Sequence, residues 1–127
     1  MGFTVDWIDE ARTILCYTVE GKWTWEQFYS ARDRARQLAD AAEAGLIDTI
    51  IDIRNGSLMP NSALTHFRNL SQHSHTRIGV GTAVIVGDNL FVKSMMTVMR
   101  TVNGKRMEKF HIAATIEDAL ALLARQR

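Results

Sequence analysis

The sequence predicts an α/β domain: a mostly parallel five-stranded sheet, an antiparallel edge strand from an N-terminal hairpin, and four helices mainly on one face. Three observations carry that prediction. From the second strand onward, strand-like and helix-like segments alternate strictly, which implies right-handed crossovers and parallel strands. The first two strands are joined by only four residues, too few for a crossover, so the first must lie antiparallel at an edge. Within most strands one parity is apolar and the other polar, whereas a sheet covered on both faces reads apolar throughout.

The elements follow in order. Phe3–Ile8 and Thr13–Glu20 alternate on either side of Asp9-Glu10-Ala11-Arg12, a hairpin turn. A long helix is expected from Thr24 to Ala44, opened by the capping box Thr24-Trp25-Glu26-Gln27 and stopped at Gly45. Its buried face is Phe28, Ala31, Ala35, Leu38 and Ala42, and Arg32 projects near the middle of that face, where a guanidinium needs a partner. Ile47–Ile53 is the third strand. Asn61 or Ser62 caps a short helix to about Gln72. Val80–Val86 is the fourth strand, and around Ala83 and Ile85 it is apolar on both sides, as a central strand is. Asp88 caps a helix to about Val102, ended by Asn103-Gly104. Met107–Ala114 is the last strand, and Thr115 opens a final helix with Glu117 and Asp118 in its first turn, where the dipole favours negative charge.

The parity that reads apolar is Phe3, Val5, Trp7; Leu15, Tyr17, Val19; Ile47, Thr49, Ile51, Ile53; Phe110, Ile112, Ala114. The other carries Thr4, Asp6; Cys16, Thr18, Glu20; Asp48, Ile50, Asp52, Arg54; Lys109, His111. This predicts a polar second face, open to a partner or to a second copy.

Composition bounds the function. A chain of 127 residues with 46% hydrophobic and 23% charged side chains reads as one globular domain, residues 1–127, rather than a disordered segment. The single cysteine, Cys16, cannot form an internal disulfide and fits a reducing compartment. The start MGFTVDWIDE lacks a basic stretch and an apolar core, so no signal peptide is expected, nor any membrane span, and the location expected is cytoplasmic. The net charge of +1 divides unevenly: residues 1–63 hold ten acidic and six basic side chains, residues 64–127 four and nine. Arg100, Lys105, Arg106 and Lys109 supply much of that excess, as a solvated turn or as a patch that attracts anions.

The run Thr18-Val19-Glu20-Gly21-Lys22-Trp23-Thr24, a long helix, then Thr49-Ile50-Ile51-Asp52-Ile53-Arg54, is a pattern with known relatives. So are Val84-Ile85-Val86-Gly87 before a helix and Phe110-His111-Ile112-Ala113 before a short terminal one. Together they resemble the SpoIIAA-like, or STAS-like, family of small α/β domains over nearly the whole chain. The resemblance implies a right-handed β-α superhelix. In the family's anti-sigma-factor antagonists it also implies a serine, preceded by aspartate at a helix start, whose phosphorylation switches partner binding. The matching position here is Ser62, preceded by Asn61 where the family has aspartate, so Ser62 is either a phosphorylation site at a helix N-terminus or simply a cap.

No constellation specifies catalysis. No G-x-S-x-G elbow or P-loop occurs, and Gly79-Val80-Gly81 opens a strand instead of following one. His66 and His73 are seven residues apart, roughly 10 Å along a helix, against the spacing of four that chelation uses. We therefore expect no catalytic residue, no metal and no cofactor. Ligands of open parallel sheets gather beyond the carboxyl ends of the strands, which makes Arg54, Asn55 and Ser57 candidate partner- or ligand-binding residues, and the resemblance adds Asn61 and Ser62. A second candidate surface is the helix at 89–102, where Phe91, Val92, Met95, Met96, Val98, Met99 and Val102 span about 160° of arc. Lys93 and Arg100 border its Met96 edge, so Lys93, Met96, Met99 and Arg100 are the candidate binding residues there. A methionine-rich ridge is either core or an adaptable contact surface.

The leading expectation is a non-enzymatic STAS-like regulatory or protein-interaction module, binding a protein partner or itself as a homodimer. The alternative is a carrier of a small apolar or anionic ligand, lipid-like, with a cavity beside the Met-rich helix, on analogy with the layout of CRAL-TRIO domains. Nucleic acid is not an expected partner, since the basic cluster has Phe110 beside it but no series of stacking rings.

Overall fold

A computed structural model describes residues 2–42, 45–56, 81–87 and 110–126, with the single positions Thr65, Lys93, Thr97 and Thr101. Five strands, β1 (Gly2–Trp7), β2 (Ile14–Gly21), β3 (Asp48–Gly56), β4 (Ala83–Val86) and β5 (Phe110–Ala113), form one sheet in the order β1-β2-β3-β4-β5. The β1–β2 pair is antiparallel and the others are parallel, as the sequence predicts. The hairpin turn closes through Arg12 N to Asp9 O at 3.3 Å, with Arg12 in the left-handed region (φ 57°). The Asp9 carboxylate accepts from Thr13 N and Ile14 N, at 3.0 and 3.1 Å, which ties the turn to the first residue of β2.

Helix α1 (Trp25–Ala41) starts at the predicted capping box: Gln27 N donates to Thr24 Oγ1 at 3.1 Å and Thr24 N donates to Gln27 Oε1 at 3.0 Å. It stops earlier than predicted. Ala42 closes it in an extended conformation (φ −88°, ψ 149°), three residues before Gly45, so no glycine cap is used. Alanines 31, 35 and 39 let the helix approach β1 and β2 closely, against Val5, Leu15 and Tyr17. At its N-terminal end Phe3 sits among Trp23, Phe28 and Tyr17 at centroid distances of 5.2, 5.1 and 5.8 Å, all edge-on.

The second helix, α2 (Ile116–Gln126), opens at Thr115, whose hydroxyl accepts from Asp118 N at 3.1 Å. Its buried residues Ala119 and Leu123 pack on Ile14, Ile50, Val84, Val86 and Ala113. Those strand residues have the opposite parity to Leu15, Ile51 and Ile85, so α1 and α2 cover opposite faces of the sheet. This corrects the expectation that the helices share one face. Crossover handedness constrains only a helix that leads into another parallel strand. Among the described residues no strand follows α2, and it lies over the apolar half of the second face. All four residues of β4 are buried, which is the two-sided covering its sequence implies.

Two strand limits also move. β3 runs to Gly56 rather than Ile53, and β4 begins at Ala83 rather than Val80. The expected helices at 61–72 and 88–102 lie outside the described residues, apart from Thr65, Lys93, Thr97 and Thr101, which are helical. There the hydroxyls of Thr97 and Thr101 donate to the carbonyls of Lys93 and Thr97, each at 3.0 Å, the back-bonding of helical threonines. Among the described residues no helix is long and apolar enough to cross a membrane.

Candidate binding site at the carboxyl ends of β2 and β3

Among the described residues α2 covers β3, β4, β5 and the Ile14 end of β2 on the second face, and none covers the rest of β1 and β2 there. That strip carries exposed Thr4, Asp6 and Glu20 and half-buried Cys16 and Thr18. At its border the β2–β3 register slips: Thr18 pairs with Asp52, but Glu20 pairs with Asn55, so β3 holds one extra residue there. Such a bulge takes one main-chain N–H out of the ladder and re-aims a side chain. Arg54 N donates to Asp52 Oδ1 at 3.2 Å, and the Arg54 side chain turns back onto the same carboxylate through Nε to Oδ1 at 2.9 Å and Nη2 to Oδ2 at 2.8 Å. Aspartate and arginine two residues apart on one parity of a strand face the same side, and the bulge brings them into a bidentate pair.

The pair is asymmetric. Asp52 is 11% exposed at the side chain and Arg54 is 42% exposed, so the carboxylate is sunk in the sheet and the guanidinium stands out of it. The Arg54 side-chain hydrogen bonds hold the Asp52 carboxyl below its ordinary range, against burial that pushes it up. Burial raises the neighbouring Cys16 thiol, the largest influence on it, so Cys16 is not an activated nucleophile at neutral pH.

The sign of the Asp52 shift gives a prediction. A carboxyl depressed in the folded state contributes stability above its unfolded value, about 3.9, and loses it as pH falls through the folded value. Asp52→Asn is expected to cost about 1–2 kcal/mol at pH 7, discounted for the exposure of Arg54. That difference should shrink below about pH 4. Urea denaturation of both proteins from pH 7 to pH 2.5 reads this directly, and a pH-independent gap would mean the pair contributes nothing.

Of the candidate residues read from sequence, Arg54 and Asn55 are both exposed and lie together at the carboxyl end of β3, where Asn55 and Gly56 pair with Glu20 and Gly21. Lys93 is exposed and helical. Ser57, Asn61, Ser62, Met96, Met99 and Arg100 lie outside the described residues, and with them the phosphorylation site and the methionine ridge. Asp52, Thr18 and Cys16 were not singled out as site residues. Their signal was present, since all three share the polar parity with Arg54. Arg32 is half-buried beside Tyr17, Tyr29, Asp33 and Arg36, with its guanidinium lowered by burial and by Arg36, while burial pushes the Tyr17 hydroxyl up to about 12. Among the described residues no three His, Cys, Asp or Glu side chains converge on a point.

Comparison with models of known protein families returns no match, and neither does comparison with curated proteins. Among solved structures the chain is similar to an uncharacterized protein of the DUF3478 family with a SpoIIAA-like fold, from Shewanella loihica PV-4. The two are 17% identical, the match covers 96% of this chain and 94% of that one, and the TM-score is 0.67. At that identity the likeness carries the fold, which is SpoIIAA-like.

Proposed function

We propose that this chain is a non-enzymatic, STAS-like protein-interaction module that docks through the carboxyl ends of β2 and β3, on the strip that α2 leaves open. The observation that carries the reading is Arg54: a guanidinium held by two hydrogen bonds to a nearly buried carboxylate that also accepts from the Arg54 main-chain N–H, yet 42% exposed. A pre-ordered arginine loses little side-chain freedom on binding, and arginine is among the residues that dominate interface energies. Beside it in the register, Thr18 pairs with Asp52 and Glu20 with Asn55, which adds polar side chains near Arg54. The partner is either a protein offering a carboxylate to Arg54 or a second copy of the chain. A cytoplasmic location, with Cys16 reduced, goes with this reading.

Native mass spectrometry of the purified protein, followed by denaturing mass on the same sample, is the first test. A homodimer weakened roughly tenfold or more by Arg54→Ala supports the reading with self as partner. A bare monomer directs the test to a photo-crosslinker placed at Asn55 in cells, where Arg54→Ala should abolish the adducts and Glu26→Ala, on α1, should not. A small-molecule mass that departs on denaturation, or adducts indifferent to Arg54, overturns the reading.

A further inference from the structure

Among the described residues β1 is an edge of the sheet with no second neighbouring strand, and it is the second feature with a function to assign. Residues of an antiparallel pair alternate between those that bond their partner strand and those that face away. Ile8 N donates to Ile14 O at 3.0 Å, which fixes the phase. With the register Thr4↔Thr18 and Asp6↔Cys16, the main chain of Thr4 and Asp6 faces β2, and that of Phe3, Val5 and Trp7 faces outward. An outward row of N–H and C=O groups is a template for another extended chain.

Two of those outward groups are occupied. Arg34, reaching from α1, donates Nε to Val5 O at 3.2 Å. Trp7 N donates to the carboxylate of its own neighbour, Asp6 Oδ1, at 2.8 Å. The two are joined, since Arg34 Nη2 lies 3.9 Å from Asp6 Oδ2. Asp6 projects on the face opposite α1, so the Arg34 side chain crosses the edge from one face to the other. With side chains 57% and 72% exposed, this ion pair contributes little to stability. Its effect is positional: it covers the middle of a strand that would otherwise be open.

We infer that Arg34 and Asp6 form a latch over the edge of β1, and that opening it lets β1 pair antiparallel with β1 of a second copy. The occupant is set by self-complementarity. About a two-fold axis at Val5, Phe3 falls opposite Trp7 of the other copy and Val5 opposite Val5, so each outward donor meets an outward acceptor. Charge agrees, because Asp6 falls opposite Thr4 of the other copy and no like charges face each other. The interface is separate from the Arg54 site and does not depend on it.

The test is the assembly state of Arg34→Ala and, opening the latch from the other face, Asp6→Asn. Native mass spectrometry over a concentration series should show each variant associating at least tenfold more tightly than wild type, whatever the wild-type state. Adding Arg54→Ala should leave that gain unchanged. Hydrogen exchange of the Phe3 and Val5 amides should slow at least tenfold in the assembled variants. Unchanged association in two natively folded variants overturns the inference, as does association without slowing at Phe3 and Val5.

Discussion

Leu123→Ala is expected to lower the stability of the protein by about 3 kcal/mol and its melting temperature by roughly 10 °C. Leu123 is fully buried and, with Ala119, closes α2 onto Ile14, Ile50, Val84 and Val86. Truncation removes the transfer free energy of the lost methyl groups and leaves a cavity that a short terminal helix only partly collapses into. The effect should also be local. Amides of α2 (residues 116–126) should exchange faster in the variant than those of α1, because Leu123 is one of only two buried residues that hold α2 to the sheet. Leu120→Ala, at a half-buried position of the same helix, should cost roughly half as much. A loss under about 1 kcal/mol at Leu123 would mean that α2 does not seal the second face.

That second face is where the sequence was harder to read. Its alternation correctly separated Leu15, Tyr17 and Val19 from Cys16, Thr18 and Glu20. The antiparallel hairpin of β1 and β2 and the capping box at Thr24 were equally legible, because both depend on spacing within a few residues. Two positions in the same parity went against the polar reading: Ile14 and Ile50 are buried, beside Val84 of the strand expected to be apolar on both sides. Ile14 and Ile50 fall in different strands, so neither strand alone shows the apolar block that they make with Val84 once paired. The covering helix was legible as an amphipathic segment, but not the face it would choose, since crossover handedness constrains only a helix that joins two parallel strands. The site had a similar history. Arg54 and Asn55 were identified from the strand-end rule, whereas the Asp52 brace required the bulge, which only the pairing with β2 reveals. Arg34 gave no local signal at all, because its partners Val5 and Asp6 lie 29 and 28 positions earlier in the chain.

Gly81 reads from sequence only as part of a small-residue strand start, yet Gly81→Ala is expected to be among the most damaging single-methyl changes available. A β-carbon built at Gly81 runs into the carbonyl oxygen of Ile47, sits 2.9 Å from the carbonyl carbon and 3.1 Å from Asp48 Oδ1. The obstruction is main chain, which cannot rotate aside as a side chain can. The segment it would displace is stitched to its neighbour on both sides: Thr82 N donates to Asp48 Oδ1 at 3.0 Å, and Thr49 N donates to Thr82 O at 2.9 Å. Asp48 is nearly buried, so losing the Thr82 bond removes a donor that water cannot readily replace. Overpacking of about 1–3 kcal/mol and a weakened buried hydrogen bond of about 1–2 kcal/mol together give an expected loss of about 3–4 kcal/mol. Gly45→Ala is the matched control. Nothing lies within 4 Å of a β-carbon there and its backbone is not left-handed, so restricting the unfolded chain should leave stability unchanged or raised by about 0.5 kcal/mol. Urea denaturation of both variants separates a glycine required by close main-chain approach from one that merely fills a loop. Equal midpoints for the two would show that β3 and β4 do not meet as closely at Ile47 as the geometry requires.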